Sequence, residues 1–206
     1  MPNYYTGNRW LTLAEQKVNA NYLRTLLETD GWTLHAISGL LGNTQTESTT
    51  NPGIWQNLNS GNPKLGYGLT QWTPSTKYTD WCKSHNLTPS AMESAVARLK
   101  FEVDNPSEQW VVHESLGYPL TFKQFTQSEE SPYYLGMTFL NNYEMPGDLN
   151  QPKRGKQAEF WYEFLSGEAP PDPPGPGPDR NTYKGNSTIL ISILKGGQRF
   201  GSFKQR

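Results

Sequence analysis

Six prolines within twelve residues divide this chain of 206 residues into two unequal parts. Because proline lacks a backbone N–H donor, the segment that holds them, Glu168–Asp179, cannot form the interior of a helix or a sheet. We interpret it as a semi-rigid polyproline spacer, at most about 37 Å long at about 3.1 Å per residue. The predicted organisation is a folded domain over residues 1–167, a linker over residues 168–179 and a C-terminal tail over residues 180–206.

The tail differs in charge from the rest of the chain. It carries six basic residues and no acidic residue, whereas the remainder carries 12 basic and 19 acidic residues. Its segment Thr188–Leu194 is aliphatic and of strand length, and such a segment is prone to aggregate when it stays exposed. We therefore predict that this segment docks on a protein or a membrane surface, and we predict no nucleic-acid partner.

Several kinds of site and segment are not expected in this sequence. No apolar run approaches the roughly 20 residues that span a bilayer, so no transmembrane segment is predicted. The first residues, 1–10, lack the basic and apolar regions of a signal peptide, and we expect a protein made in a cytoplasm. The single cysteine, Cys82, excludes an intrachain disulfide, and its C-x-x-H spacing to His85 has no second pair of ligands nearby. We predict neither a metal site nor a cofactor.

Helical patterns dominate the residues before the spacer. Thr12 and Glu15 form the pattern of a capping box, which predicts a helix that stops near Gly31. Thr33 is the predicted N-cap of a second helix, which ends near Glu47. Three further helices are predicted over about residues 90–103, 132–142 and 154–165.

One segment has a different pattern. Residues 66–72 alternate polar and apolar positions after a glycine, which predicts a short strand or hairpin. The predicted fold class is therefore α+β, with a mainly helical domain and a small β element.

A candidate acid lies at the end of the second predicted helix. Steps of three and four residues place four side chains on one helical face: Ile37, Leu40, Thr44 and Glu47. A helix that packs the apolar members inward turns Glu47 toward the interior or a cleft wall. Pro52 disfavours helix just before it, so Glu47 should lie near the negative end of the helix dipole. Partial burial and this dipole end both penalise the ionised form, which favours a neutral, proton-donating carboxyl group.

The motifs around Glu47 resemble those of a known family. Their order is Glu47-Ser48, then Asn51-Pro52, then Gly66-Tyr67-Gly68-Leu69-Thr70-Gln71-Trp72. In these residues the chain resembles the goose-type and lytic-transglycosylase branch of the lysozyme superfamily. It is most similar to phage tail lysozymes, in particular to the tail-tip lysozyme domain of small podophages that infect Gram-positive bacteria. The similarity covers roughly residues 10 to 167.

The resemblance implies a glycosidase that acts on bacterial peptidoglycan, with Glu47 as the general acid. A second carboxylate normally stabilises the sugar cation, attacks it or activates water. No Asp or Glu occurs from Ser48 through Thr79, so the usual position of that carboxylate in hen-type lysozymes is empty. Two mechanisms stay open. Either a distant acid or a polar side chain orients water for inverting hydrolysis, or the substrate's own hydroxyl or acetamido group completes the reaction.

Glu144 is the first candidate for the distant acid, and Asp80 is the second. The alternative role of Glu144 is a structural ion pair with Arg154. The polar side chains that could orient water are Thr70, Gln71 and Thr73.

Substrate contacts are predicted for residues around the same motif. The principal ones are Trp55, Tyr67, Gly68, Gln71 and Trp72, with aromatic faces for sugar rings and an amide for acetamido groups. Tyr78 and Trp81 are further aromatic candidates, and Asn57 and Asn59 are further polar ones. About two of the five aromatic residues are expected to touch sugar, since most buried tryptophans belong to the core.

The resemblance also implies a place of action. We expect a virion lysozyme at the phage tail tip, made in the host cytoplasm, that cuts between N-acetylmuramic acid and N-acetylglucosamine. The tail over residues 180–206 is expected to bind phage tail proteins. An endolysin or a lytic transglycosylase of the same superfamily is the near alternative, and a non-catalytic wall-binding tail module is the alternative outside enzymes.

Overall fold

Helices supply most of the regular structure in the part of the chain that is described. The computed structural model describes residues 4–167, and the predicted linker and tail lie outside them. The α-helices of this part are α1 (Leu13–Thr29), α2 (Leu34–Glu47), α3 (Thr76–Ser84), α4 (Met92–Asp104), α5 (Phe122–Thr126), α6 (Pro132–Phe139) and α7 (Pro152–Ser166). Among residues 4–167, no helix is both long enough and apolar enough to cross a membrane.

The first two helices begin where their capping residues predict. The Thr12 side chain accepts a hydrogen bond from the Glu15 backbone N–H, and the Glu15 carboxylate accepts one from the Thr12 backbone N–H. The Thr33 side chain accepts from the backbone N–H of Ala36. Helix α2 ends at Glu47, so the predicted position of this residue in the last turn is confirmed.

Small residues let three helices approach one another closely. Helix α2 packs mainly against α6 and α7. A Cβ atom on Gly42 would lie 2.8 Å from the backbone nitrogen of Ala158, and one on Gly136 would lie 3.0 Å from the Ala158 Cβ. Both distances are shorter than ordinary carbon contacts, so any larger side chain would separate the helices. This packing brings the end of α2, with Glu47, beside the beginning of α7, with Arg154.

A cluster of aromatic rings packs around helices α5 and α6 and the turn that follows α6. Trp110 stacks on Phe122 with ring centroids 4.4 Å apart, and Phe139 stacks on Tyr143 at the same distance. After Phe139 the chain does not continue as the predicted α-helix to residue 142. It widens instead into a π-helical turn, Leu140–Glu144, whose Tyr143 is held by the aromatic cluster.

The predicted hairpin is the part of the fold class that the structure does not show. Among the described residues, β pairing consists of isolated bridges, of which Trp55–Tyr67 and Tyr67–Trp72 fall in this region. Gly68 has φ 87° and Gln71 has φ 54°, and residues in this left-handed region turn the chain instead of extending it. The domain is therefore a helical one with an irregular loop, residues 54–73, where a hairpin was expected.

Candidate functional site

A cleft with a volume of about 410 Å³ opens beside the end of α2. Its other sides are formed by the loop 54–73 and by the π-helical turn. The described residues that line it are Glu47, Gln56, Thr70, Gln71, Trp72, Thr73, Gln109, Tyr143, Glu144 and Pro146. The two residues predicted as catalytic, Glu47 and Glu144, are thus brought to one cleft although they lie far apart in the sequence.

Glu47 is held at the cleft by an arginine from α7. The Arg154 Nη2 atom donates to Glu47 Oε1 at 2.5 Å, and its Nη1 atom donates to the Asn43 carbonyl at 2.9 Å. Arg154 is 4% exposed and the Glu47 side chain is 15% exposed, so the contact is largely shielded from water. An ion pair of Arg154 with Glu144 was the alternative expected from the sequence, but the Arg154 guanidinium pairs with Glu47. The sequence did not predict this cation, which compensates a negative charge on the carboxyl group of Glu47.

The residue after Glu47 ties the end of the helix to the loop. The Ser48 hydroxyl donates to the Leu69 carbonyl at 2.6 Å. Ser48 is fully buried, so this bond is shielded from competing water. The Glu-Ser pair of the motif therefore has two tasks, in which the first residue faces the cleft and the second fixes the loop that forms the opposite wall.

Glu144 reaches the cleft because the backbone around it departs from the α-helix. It is the last residue of the π-helical turn, and Met145 follows in the left-handed conformation with φ 44° and ψ 50°. The Gln109 side chain donates to the Tyr143 carbonyl at 2.9 Å and so supports the same turn. π-Helical turns inside helices are frequent at functional sites. Asp80, the second candidate, is exposed on α3 and is not among the described residues that line the cleft.

The residues predicted to bind substrate fall into two groups. Gln71 and Trp72 line the cleft, whereas the described lining does not include Trp55, Tyr67 or Gly68. Tyr67 packs between aromatic neighbours, with its ring centroid 4.6 Å from that of Trp55, and burial raises the pKa of its hydroxyl to about 12. A Cβ on Gly68 would lie 3.2 Å from the Trp72 ring, so this glycine serves the close packing of the loop.

The further candidates lie elsewhere. Tyr78 is fully buried in the core, and Trp81 is partly buried against Phe101. Asn57 and Asn59 are exposed on the loop, and the described cleft lining includes neither.

Gln71 lies in the wall of the cleft and holds the loop 54–73 together. Its side-chain Nε2 donates to the carbonyl groups of Ile54 and Gly68 at 3.1 and 2.9 Å. Its Oε1 has no hydrogen-bond partner among residues 4–167. Although Gln71 lines the cleft, this oxygen is itself buried away from solvent.

Several residues that shape the cleft were not predicted from the sequence. Gln56, Gln109, Tyr143 and Pro146 line it, and Glu102 on α4 lies behind it. Glu102 is fully buried and accepts hydrogen bonds from the side chains of Trp72 and Tyr143. The signal was present in the sequence, because Glu102 follows Ala95 and Leu99 at steps of four and three on the buried face of α4.

Metal ligands are not gathered in this part of the molecule. Within residues 4–167, no three His, Cys, Asp or Glu side chains are grouped so that they could hold a metal ion. Cys82 is buried in α3, away from solvent.

Comparison with known proteins adds two findings. Residues 18–165 match a family model whose description is phage tail lysozyme. The chain is also 49% identical over 165 residues to a protein of Bacillus phage B103 called morphogenesis protein 1. That alignment covers 80% of this chain and 44% of the relative, so the chain spans less than half the length of that protein.

Proposed function

The chain belongs to the phage tail lysozyme family, and from this premise we propose that it cleaves the glycan strands of bacterial peptidoglycan. The bond that it cuts joins N-acetylmuramic acid to N-acetylglucosamine, and Glu47 is the general acid. The observation that carries this proposal is the position of Glu47 at the end of α2, on a cleft that it shares with Glu144 and several polar side chains.

The contacts of Glu47 suggest how it delivers the proton. Cleavage requires protonation of the leaving oxygen while positive charge develops on the sugar ring. Because Arg154 donates to Oε1, we assign the transferable proton to Oε2. Arg154 then has two tasks: it fixes the orientation of the carboxyl group, and it stabilises the carboxylate that remains after the proton has left.

The second group of the reaction is assigned to the π-helical turn. Glu144 lines the same cleft as Glu47, and we propose that it activates the attacking water. The alternative is closure by the substrate's own C6 hydroxyl group, which makes a 1,6-anhydro product and needs no water. Thr70 and Thr73 line the cleft and supply hydrogen bonds to the glycan or to the water in either case.

Mass spectrometry of the products tests the proposed reaction. Purified Gram-positive peptidoglycan is digested with the wild-type protein, with Glu47→Gln and with Glu159→Gln, an exposed residue of α7 with the same change of charge. We expect muropeptides with ordinary reducing ends from the wild type and from Glu159→Gln, and about a thousandfold slower release from Glu47→Gln.

Each other outcome has a clear meaning. Products lighter by the mass of one water molecule would show that the reaction is transglycosylation and not hydrolysis, and the proposed role of Glu47 would stay the same. A wild-type protein that binds peptidoglycan without releasing fragments would support a wall-binding module and contradict the proposal.

We also propose that the protein acts in the virion at the tail tip, where it opens the wall for genome delivery. The family and the name of the phage B103 relative support this placement. The tether is assigned to residues 180–206, which lie outside the described residues. Deletion of residues 180–206 should leave glycan cleavage intact and abolish incorporation into particles. An endolysin, in contrast, would be absent from purified virions, and particles that retain the truncated protein would refute the tether.

A further inference from the structure

Glu102 is a buried carboxyl group that the proposed reaction does not use directly. It lies on α4 and its exposed fraction is zero. Its Oε1 accepts from Trp72 Nε1 at 2.9 Å and from Arg98 Nε at 2.8 Å. Its Oε2 accepts from the Tyr143 hydroxyl at 2.6 Å. Three donors thus converge on one carboxylate in the protein interior.

Stability alone does not account for this arrangement. Burial raises the pKa of Glu102, and the hydrogen bonds from Tyr143, Arg98 and Trp72 oppose that shift only in part. Arg98 is itself only 4% exposed, so both members of the ion pair have lost their water. Buried ion pairs of this kind are often replaced by apolar side chains without loss of stability. A role in function is therefore the more economical explanation.

Two of the three donors to Glu102 come from separate walls of the cleft. Trp72 belongs to the loop 54–73, and Tyr143 belongs to the π-helical turn, directly before Glu144. A second contact joins the same walls, because the Thr70 hydroxyl lies 3.3 Å from the Tyr143 hydroxyl. Glu102 lies behind the cleft and contacts both walls from one rigid helix.

We propose that Glu102 is a positioning residue that holds Trp72 and Tyr143 in the arrangement in which the cleft binds glycan and Glu144 faces it. This inference rests on the proposed function. Without the carboxylate, the indole N–H and the phenol O–H would lose their acceptor inside the protein, and the segments that carry them would move to find another. The two cleft walls would then lose their common support.

Two double variants separate positioning from stability. Arg98→Met with Glu102→Leu removes the ion pair and every acceptor, but it leaves no buried charge unpaired. Arg98→Met with Glu102→Gln is the matched control, because the amide oxygen still accepts from Trp72. Its NH₂ group donates to the Tyr143 oxygen, and the Tyr143 hydroxyl then donates to Thr70. Both variants should fold, with unfolding temperatures within a few degrees of each other.

The kinetic readout is the difference between these two variants on soluble glycan fragments. We expect the leucine variant to lose about tenfold or more in kcat with about a threefold rise in KM, and the glutamine variant to keep at least about a third of the wild-type kcat. Equal kcat and KM values for two folded double variants would overturn the proposal.

A single variant covers the case in which the leucine variant does not fold. Tyr143→Phe keeps the ring that stacks on Phe139 and removes only the hydroxyl that Glu102 binds. We expect about a tenfold lower kcat, and wild-type kcat and KM in this variant would also overturn the proposal.

Hydrogen exchange distinguishes failure of this inference from failure of the proposed function. The Trp72 indole N–H, followed by NMR, should exchange slowly in the wild type and in the glutamine variant, and fast in the leucine variant or in Glu102→Ala. That readout holds even if the protein cleaves no glycan, in which case only the proposed function fails. Slow exchange in a folded protein without an acceptor at position 102 would show that Glu102 does not hold Trp72.

Discussion

The two walls of the cleft are built in different ways. The wall with Glu47 is the packed end of α2, where small residues let α6 and α7 approach. The other walls are the loop 54–73 and the π-helical turn, and side-chain hydrogen bonds from Gln71 and Gln109 hold them in place. Helix packing therefore fixes the position of the proposed acid, whereas hydrogen bonds of buried polar groups fix the rest of the cleft surface.

Backbone conformation follows the same division. Residues other than glycine with positive φ lie outside the α-helices, in the turn after α2 (Thr49 and Thr50), in the loop 54–73 (Asn57, Leu58 and Gln71), after the π-helical turn (Met145) and after α3 (Asn86). Each such residue costs about 1–2 kcal/mol relative to ordinary backbone. The loop 54–73 and the turns that follow α2 and the π-helix therefore store backbone strain that the interiors of the described α-helices do not contain.

The largest expected effect concerns the packing of the helical wall. Gly42→Ala places a methyl group 2.8 Å from the backbone nitrogen of Ala158, where neither helix can yield without moving Glu47 or Arg154. We expect a loss of about 3 kcal/mol in the free energy of unfolding, measured by urea denaturation. Gly147→Ala is the control, because nothing lies within 4 Å of its Cβ position. If the two variants had equal stability, the close helix contact at Gly42 would not stabilise the wall that carries Glu47.

The next effect concerns the ion pair at the same wall. Arg154→Met removes the donor to Glu47, which is largely shielded from water, and the donor to the Asn43 carbonyl, which is buried. We expect a loss of about 2–3 kcal/mol in unfolding free energy together with a lower kcat, because Glu47 loses its fixed orientation. Lys156→Met, an exposed change on the same helix, should leave both quantities unchanged. Arg154→Met with wild-type kcat would show that Glu47 needs no such support.

The difference between the walls also explains what the sequence could predict. The start of α1 at Thr12 and the end of α2 at Glu47 follow from caps and periodicity, which act within a few residues. The pairing of Arg154 with Glu47 spans 107 residues, and no local pattern selects that partner over Glu144. The hairpin prediction was not realised for a related reason. Gln71 takes a left-handed conformation, in which its side chain bonds to the Ile54 carbonyl 17 residues away.

The turn that follows the π-helix should respond to relief of its strain. Met145→Gly removes a side chain that is 38% exposed from a left-handed position, and we expect a gain of up to about 1 kcal/mol in unfolding free energy. Leu116→Gly is the control, since Leu116 is 50% exposed and is not among the described residues with positive φ. That control should lose about 0.5–1 kcal/mol. A loss of stability in Met145→Gly would contradict the account of strain.

The smallest expected effect is a pH dependence of stability that comes from Glu15 at the start of α1. The Arg9 hydrogen bond, aided by the Thr12 backbone, lowers the pKa of Glu15 to about 2. A lowered pKa in the folded state gives stability that is present above the unfolded value, 4.5, and is lost as the pH falls toward about 2. The difference in unfolding free energy between wild type and Glu15→Gln should therefore be larger at neutral pH than at about pH 3. If denaturation experiments gave the same stability difference at both pH values, the ionised Glu15 side chain would not stabilise the start of α1 as proposed.

Glu47, as proposed, acts in the chemical step and not in the binding of the glycan. Calorimetry with a soluble glycan fragment gives Kd for the wild type and for Glu47→Gln, and reducing-end release from the same fragment gives kcat. We expect Kd values within about threefold of each other and a kcat about a thousandfold lower for the variant. A variant that keeps a tenth or more of the wild-type kcat, or one whose lost activity is matched by lost affinity, would contradict it.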